Sequence, residues 1–173
     1  MTQPTQITWL IGSPKPKEST SEALGQFFVD QFEGAEVSVF HAHKVIRHER
    51  NQTDFLSAID TADLFILSFP LYVDCLPYVV TRVLEIISGH RQNNLPSHTQ
   101  AMVAIANCGF PEAHHNQIAL NICEVFAEET GFGWRGGISV GGGGVIHGQP
   151  LNPKGVTHRI CAAFVDAAVQ ITR

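Results

Sequence analysis

The sequence predicts an α/β protein in which a parallel sheet is covered by helices on both faces. Three observations carry this reading: continuous apolar runs short enough to be strands buried on both sides, intervening segments with apolar residues at helical spacing, and the regular alternation of the two. At 173 residues the chain has the size of one domain, 1–173, able to bury roughly two thirds of its unfolded surface. It contains no repeat, linker or second domain.

The first strand is the apolar run 7–11. After a loop, Leu24, Phe27, Phe28 and Phe32 mark a helix that Gly34 is expected to end. Residues 36–40 alternate polar with apolar around Val37 and Val39, as an edge strand does, and a polar stretch, 41–52, follows. Phe55, Leu56 and Ile59 mark a short second helix. Leu64, Phe65, Ile66, Leu67 and Phe69 form the third strand, and Pro77 suits the start of a helix whose inner face is Leu76, Val79, Val80, Val83, Leu84 and Ile87. Residues 102–106 form the fourth strand. The helix after it is expected to turn Ile118, Ile122, Val125 and Phe126 inward and to close at Gly131. The fifth strand, 133–140, is weakened by Gly136 and Gly137. Four glycines, 141–144, follow it as either a flexible turn or a close backbone approach to a ligand or a partner subunit. Asn152 and Pro153 are expected to cap a last helix facing Val156, Ile160, Ala163, Phe164, Ala167 and Ile171 inward.

Bulk composition excludes several function classes. A net charge of −5 argues against a nucleic-acid partner, whose phosphates call for a basic face. No apolar run reaches the roughly 18 residues of a membrane span, and the polar first residues have no signal-peptide core, so a cytoplasmic protein without a membrane partner is expected. Cysteines 75, 108, 123 and 161 form no Cys-x-x-Cys pair, and neither the His41/His43 pair nor the His114/His115 pair has a third ligand at a recognisable spacing, so no metal site is expected.

In such a sheet, ligands bind beyond the carboxyl ends of the strands. The loop after the first strand reads Gly12-Ser13-Pro14-Lys15-Pro16-Lys17-Glu18-Ser19-Thr20-Ser21. Ser19 to Glu22 fits a capping box, which places a helix start there, and a helix start offers free N–H groups and a positive dipole end to an anion. Hydroxyls and lysines in the same loop suit a phosphate monoester. Neither the Walker pattern nor the three-glycine dinucleotide pattern is present. The other rim loops, Pro70-Leu71-Tyr72-Val73-Asp74-Cys75-Leu76 and Asn107-Cys108-Gly109-Phe110, offer aromatic and apolar surface for a flat ring. A phosphate pocket beside a flat-ring pocket suggests FMN.

With these residues in view, Gly12-Ser13-Pro14-Lys15 with Ser19-Thr20, then Phe69 to Pro77, the chain resembles the flavodoxin-like NAD(P)H-dependent FMN reductases, a family that includes quinone reductases and iron–sulfur flavoproteins. The resemblance extends over nearly the whole chain in element order. It implies a flavodoxin-like three-layer fold with strand order 2-1-3-4-5 and a homodimer. It also implies hydride transfer from NAD(P)H through bound FMN to a small acceptor such as a quinone or a flavin. Carried over by position, Ser13, Lys15, Ser19, Thr20 and Ser21 would hold the FMN phosphate. Pro70, Leu71, Tyr72 and Val73 would line the isoalloxazine, and Asn107, Cys108, Gly109 and Phe110 would meet its pyrimidine edge. No side chain is assigned as catalytic, since the flavin carries the chemistry. The apolar stretch 71–78 also points to a homodimer surface.

Two positions depart from the family pattern. Glu18 stands where members often have glycine, and 43–52 has none of the clustered cysteines of iron–sulfur members. Two other classes remain as alternatives, a flavodoxin-like electron carrier with no enzymatic activity and a flavin-free binding module. A response-regulator receiver is set aside, because Gly12-Ser13 and Ser68-Phe69 stand where acidic residues would be required.

Overall fold

A computed structural model describes residues 4–15, 18–94, 96 and 98–172. Five strands, β1 (Gln6–Ile11), β2 (Glu36–His41), β3 (Leu64–Pro70), β4 (Ala101–Asn107) and β5 (Gly133–Val140), pair in parallel in the order β2-β1-β3-β4-β5. This is the expected order. The β4–β5 register shifts between Met102 and Ala104, next to Gly136, whose φ is +116°.

Strand alternation sends side chains to two layers. Ile7, Trp9 and Ile11 of β1, with Ile66 and Val103, pack under α1 (Thr20–Val29) and α6 (His158–Ile171). On the other face, Leu10, Phe65, Leu67, Met102 and Ala104 pack under α2 (Ala42–Val45), α3 (Glu49–Thr61), α4 (Tyr78–Arg91) and α5 (Gln117–Glu129). Among the described residues, no helix is long and apolar enough to cross a membrane.

The strand expectations hold to within two residues, and the helices show four differences. Helix α1 ends at Val29, and a turn through Gly34 (φ +81°) keeps Phe32 buried without extending the helix. The polar stretch 41–52 is helical for much of its length, as α2 and the first turn of α3; Lys44, Arg47, His48, Glu49 and Arg50 face water, while His41 and His43 are half-buried. Helix α6 begins at His158 with Thr157 as its cap, whereas Asn152 makes a side-chain turn that accepts the Lys154 N–H. This leaves Val156 and Ala163 outside the core.

The fourth difference concerns α5. Its buried face is Ala119, Leu120, Cys123 and Ala127, while Ile118, Ile122 and Val125 are exposed. Close approach explains the inversion: a Cβ on Gly137 of β5 would stand 2.8 Å from Leu120, so the helix lies tight on the sheet and the small residues face it.

Candidate functional site

The pairing of β1 with β3 continues into the loop beyond it, where the Gly12 N–H donates to the Ser68 carbonyl at 2.7 Å. A Cβ on Gly12 would stand 2.4 Å from Val80 and 2.8 Å from Phe69, so only glycine lets the chain turn there. Nearby, the buried Trp9 indole donates to the Ser68 hydroxyl at 2.9 Å, and Gly25 lets α1 close over the ring, since a Cβ there would come within 2.3 Å of it. These contacts set the start of α1 against the ends of β1 and β3.

Four hydroxyls surround this helix start, and the structure divides them into two pairs. Ser13 Oγ accepts the Lys15 N–H (3.2 Å), and Ser19 Oγ caps the helix by accepting the Glu22 N–H (3.1 Å). Both side chains are buried, and among the described residues neither hydroxyl proton meets an acceptor. Thr20 Oγ1 instead donates to the Gly143 carbonyl at 3.0 Å, and the fully buried Ser21 donates to Asn107 Oδ1 at 2.7 Å. An anion at the loop therefore finds its side-chain hydroxyl donors on Ser13 and Ser19. Lys15 is exposed beside them; Pro16 and Lys17 lie outside the described residues.

Glu18 has a left-handed backbone, φ +53°, a conformation that glycine adopts more easily than glutamate. Its carbonyl abuts Gly148, where a Cβ would stand 1.9 Å from the oxygen. The glycine segment takes part in the same contact network. Gly142 (φ +64°) donates to the Phe110 carbonyl at 2.6 Å, and Gly143 donates to the Cys108 carbonyl at 2.8 Å. A Cβ on Gly141 would stand 2.2 Å from the Pro111 carbonyl oxygen. Between a flexible turn and a close backbone approach, the structure decides for close approach, and the surface approached is the protein's own rim.

The remaining rim loops are tied sideways by backbone bonds, Leu71 N–H to Asn107 O (2.8 Å) and Cys108 N–H to Val140 O (3.0 Å). Pro70 and Leu71 are half-buried. Tyr72 and Cys75 exchange two 3.0 Å backbone bonds across a tight turn in which Val73 and Asp74 have φ of +50° and +57°. Positive φ at a β-branched valine is strained, and strain of this kind gathers at binding sites. The turn leaves Val73 fully exposed and Tyr72 48% exposed.

The Asn107 side chain is buried on Ser21 and against Gly143, so it braces α1 and the glycine segment. Cys108 is buried, with its thiol near the Phe110 and Glu112 carbonyls; Gly109 and Phe110 are exposed. Phe110 packs on His115 at 4.5 Å between ring centroids, and His115 stacks on His114 at the same distance.

The His41/His43 pair, weighed from the sequence only as a metal site, sits at the end of β2 and the start of α2. The His41 and His43 rings lie 5.5 Å apart, and each has a buried Nδ1 without a hydrogen-bond partner among the described residues. Burial lowers the pKa of His41 below its ordinary 6.5, with Lys44 and His43 adding to the shift and Glu22 opposing it. Burial likewise lowers that of His43, with Lys44 and Arg47 adding to it. Because the folded state holds these rings less protonated than the unfolded chain, their stabilising contribution is present above pH 6.5 and is lost as pH falls below that value through the lowered folded-state pKa. Melting temperatures measured between pH 8 and pH 5 are expected to drop less steeply in a His41→Gln/His43→Gln variant than in the wild type; equal slopes would contradict this.

No protein-family model matches the chain, and no curated protein matches it. Solved structures do. An NADH:FMN oxidoreductase in its apo form aligns over 97% of this chain and 88% of its own, with 14% identity and a TM-score of 0.70. An NADPH-quinone reductase from P. pentosaceus aligns over 94% and 97%, at 15% identity and a TM-score of 0.66. A flavodoxin from Streptococcus pneumonia aligns over 95% and 97%, at 12% identity and a TM-score of 0.64. The chain also matches rubredoxin oxygen:oxidoreductase from Desulfovibrio gigas over 99% of its own length but spans only 36% of that protein, at 15% identity and a TM-score of 0.62. At these identities the likeness is one of fold. The chain has the flavodoxin-like fold, shared by reductases and by flavodoxin.

Proposed function

We propose that the protein is a flavoprotein oxidoreductase that holds FMN non-covalently at the carboxyl rim of the sheet and passes electrons from NADH or NADPH to a small acceptor such as a quinone or a flavin. The observation that carries the reading is the pair of buried hydroxyls, Ser13 and Ser19, whose protons meet no acceptor among the described residues. They flank the loop at the positive end of α1. A terminal phosphate supplies the missing acceptor, and the exposed Lys15 supplies a countercharge.

FMN, when bound, supplies hydride and electron transfer that no side chain of the chain can perform. The chain's own residues bind and orient. Ser13, Ser19 and Lys15 hold the phosphate, and Thr20 and Ser21 fix the backbone around it through Gly143 and Asn107. Pro70, Leu71, Tyr72 and Val73 form the wall for the ring, and the 107–110 backbone meets its polar edge. The half-exposed Tyr72 would stack on the ring. A homodimer in the cytoplasm belongs to the same reading. The names of the structural neighbours, which include an NADH:FMN oxidoreductase and an NADPH-quinone reductase, support it.

Donor and acceptor must each come within roughly 3 to 3.5 Å of the reacting ring and cannot share one face, so they bind in turn. Initial rates varied in both substrates are expected to give parallel double-reciprocal lines, and anaerobic NADH or NADPH alone is expected to bleach the visible absorption. Intersecting lines would count against one shared face. Flavin that neither nucleotide bleaches would replace the reductase with an electron carrier.

A further inference from the structure

The candidate flavin site accounts for one phosphate, but a dinucleotide donor brings further phosphates, and the loops around the ring offer them no countercharge. Residues 70–77, 107–116 and 141–148 contain no lysine or arginine and carry two acids, Asp74 and Glu112. Beyond Lys15 of the phosphate loop, cations gather at the end of β2. His41 pairs with Ile11, the residue before Gly12, so β2 ends beside the phosphate loop. Lys44 and Arg47 are exposed and form no ion pair among the described residues. After burial, Lys44 is the next cause of the lowered pKa of both histidines, and Arg47 acts on His43, so both cations stand beside the pair; Glu22 is the one acid acting on His41. The rings add donors without having to be charged. Both titrate below 6.5 and are neutral near pH 7. A proton on the buried, unpartnered Nδ1 would be an orphan donor, so it sits on Nε2, which makes no hydrogen bond among the described residues.

We propose that His41, His43, Lys44 and Arg47 form a second anion subsite, which takes the 2′-phosphate of the nicotinamide donor and makes the protein selective for NADPH over NADH. The inference rests on the reductase reading for the identity of the donor and goes beyond it by choosing between the two nucleotides. A phosphate monoester offers acceptor oxygens to both imidazole N–H groups and close to two negative charges to Lys44 and Arg47 together. With Glu22 the only acid acting on either ring, the cluster stays net positive. NADH carries a hydroxyl at the same place, which brings no charge and leaves both cations unpaired. The end of β2 lies two strands from β3, about 10 Å across the sheet, so an extended dinucleotide with its nicotinamide beside Tyr72 reaches it. Ser13, Ser19 and Lys15 keep the flavin phosphate, so the two anions use different donors.

Calorimetric titration of the full chain with adenosine 2′,5′-bisphosphate and with 5′-AMP, at low ionic strength, tests the subsite without turnover. The wild type is expected to bind the bisphosphate about tenfold more tightly than 5′-AMP. Lys44→Glu/Arg47→Glu is expected to remove that difference while changing FMN affinity less than about threefold, and Ser13→Ala/Ser19→Ala to keep the difference and lose FMN. Arg50→Glu, in the same polar stretch but paired with Asp54, is expected to keep the difference as well, which separates a local subsite from a general field. In the FMN-loaded protein, kcat/KM for NADPH should exceed that for NADH, and the charge reversal should lower the first about tenfold more than the second. Equal binding of the two adenylates, equal use of the two nucleotides, or a loss that Arg50→Glu reproduces would each overturn the proposal. Flavin that neither nucleotide reduces would end the reductase reading instead, and the adenylate titration, which requires no flavin, then decides the subsite alone.

Discussion

Replacing Ser13 and Ser19 together by alanine is expected to weaken FMN binding by about a hundredfold to ten-thousandfold while leaving riboflavin binding nearly unchanged. Neither buried hydroxyl proton meets an acceptor among the described residues, and a hydrogen bond to a charged group contributes about 1.5 to 3 kcal/mol, or roughly one to two decades of affinity. Ser19 also caps α1, and loss of a cap costs about 1 kcal/mol of stability. Ser19→Asp separates the two roles, because aspartate caps a helix as well as serine but repels a phosphate. That variant should keep the apo melting temperature and still lose FMN. Thr20→Val should change the ratio of FMN to riboflavin affinity far less, because the Thr20 proton already goes to Gly143. Equal wild-type affinity for FMN and riboflavin would remove the phosphate reading altogether.

The largest stability effect is expected at the opposite rim of the sheet. Arg91 is buried, donates to the Thr130 carbonyl at 3.1 Å and to Gln100 Oε1, and lies 3.8 Å over the Phe132 ring. Gln100 in turn donates to the Ile59 and Ala62 carbonyls at 2.5 and 2.7 Å, so one guanidinium holds the carboxyl ends of α3 and α5 against the start of β4. Burial lowers the Arg91 pKa and Asp60 opposes the shift, yet the group stays charged because guanidinium titrates so high. Arg91→Ala leaves two buried acceptors unpaired and a gap beside Phe132, an expected loss of about 3 to 5 kcal/mol. For a domain of this size that is roughly 10 °C or more in melting temperature. Arg91→Lys should recover only part of it, since an ammonium cannot span both acceptors and stack on the ring. A melting point for Arg91→Ala within 2 °C of the wild type would show the network to be dispensable.

Strand runs, the start of α1 and the rim loops were legible from local pattern, whereas the starts of α2, α3 and α6 were not. A strand buried on both faces reads as an apolar run, and Ser19 makes a recognisable cap whatever else surrounds it. The acceptor of each hydroxyl proton was not legible. Ser13, Ser19, Thr20 and Ser21 look alike in sequence, and only the fold brings Gly143 to Thr20 and Asn107 to Ser21, more than 80 residues away. The conformation of Glu18 was half legible. Its place in the loop before the Ser19 cap was visible in the sequence, but its left-handed backbone against Gly148 depends on a segment 130 residues later.

The sequence by itself determined the layered α/β architecture, the strand boundaries and the capped start of α1, because each of these follows from side-chain period, capping and chain stiffness over a few residues. Only the tertiary structure decided which face of α5 is buried, since helical spacing shows that an apolar line exists but not whether a glycine-bearing strand draws the small residues inward. The same holds for the glycines at 141–144 and for His41 and His43. Their roles are contacts with distant segments, and the free energy of a contact belongs to the pair and cannot be read from either residue alone.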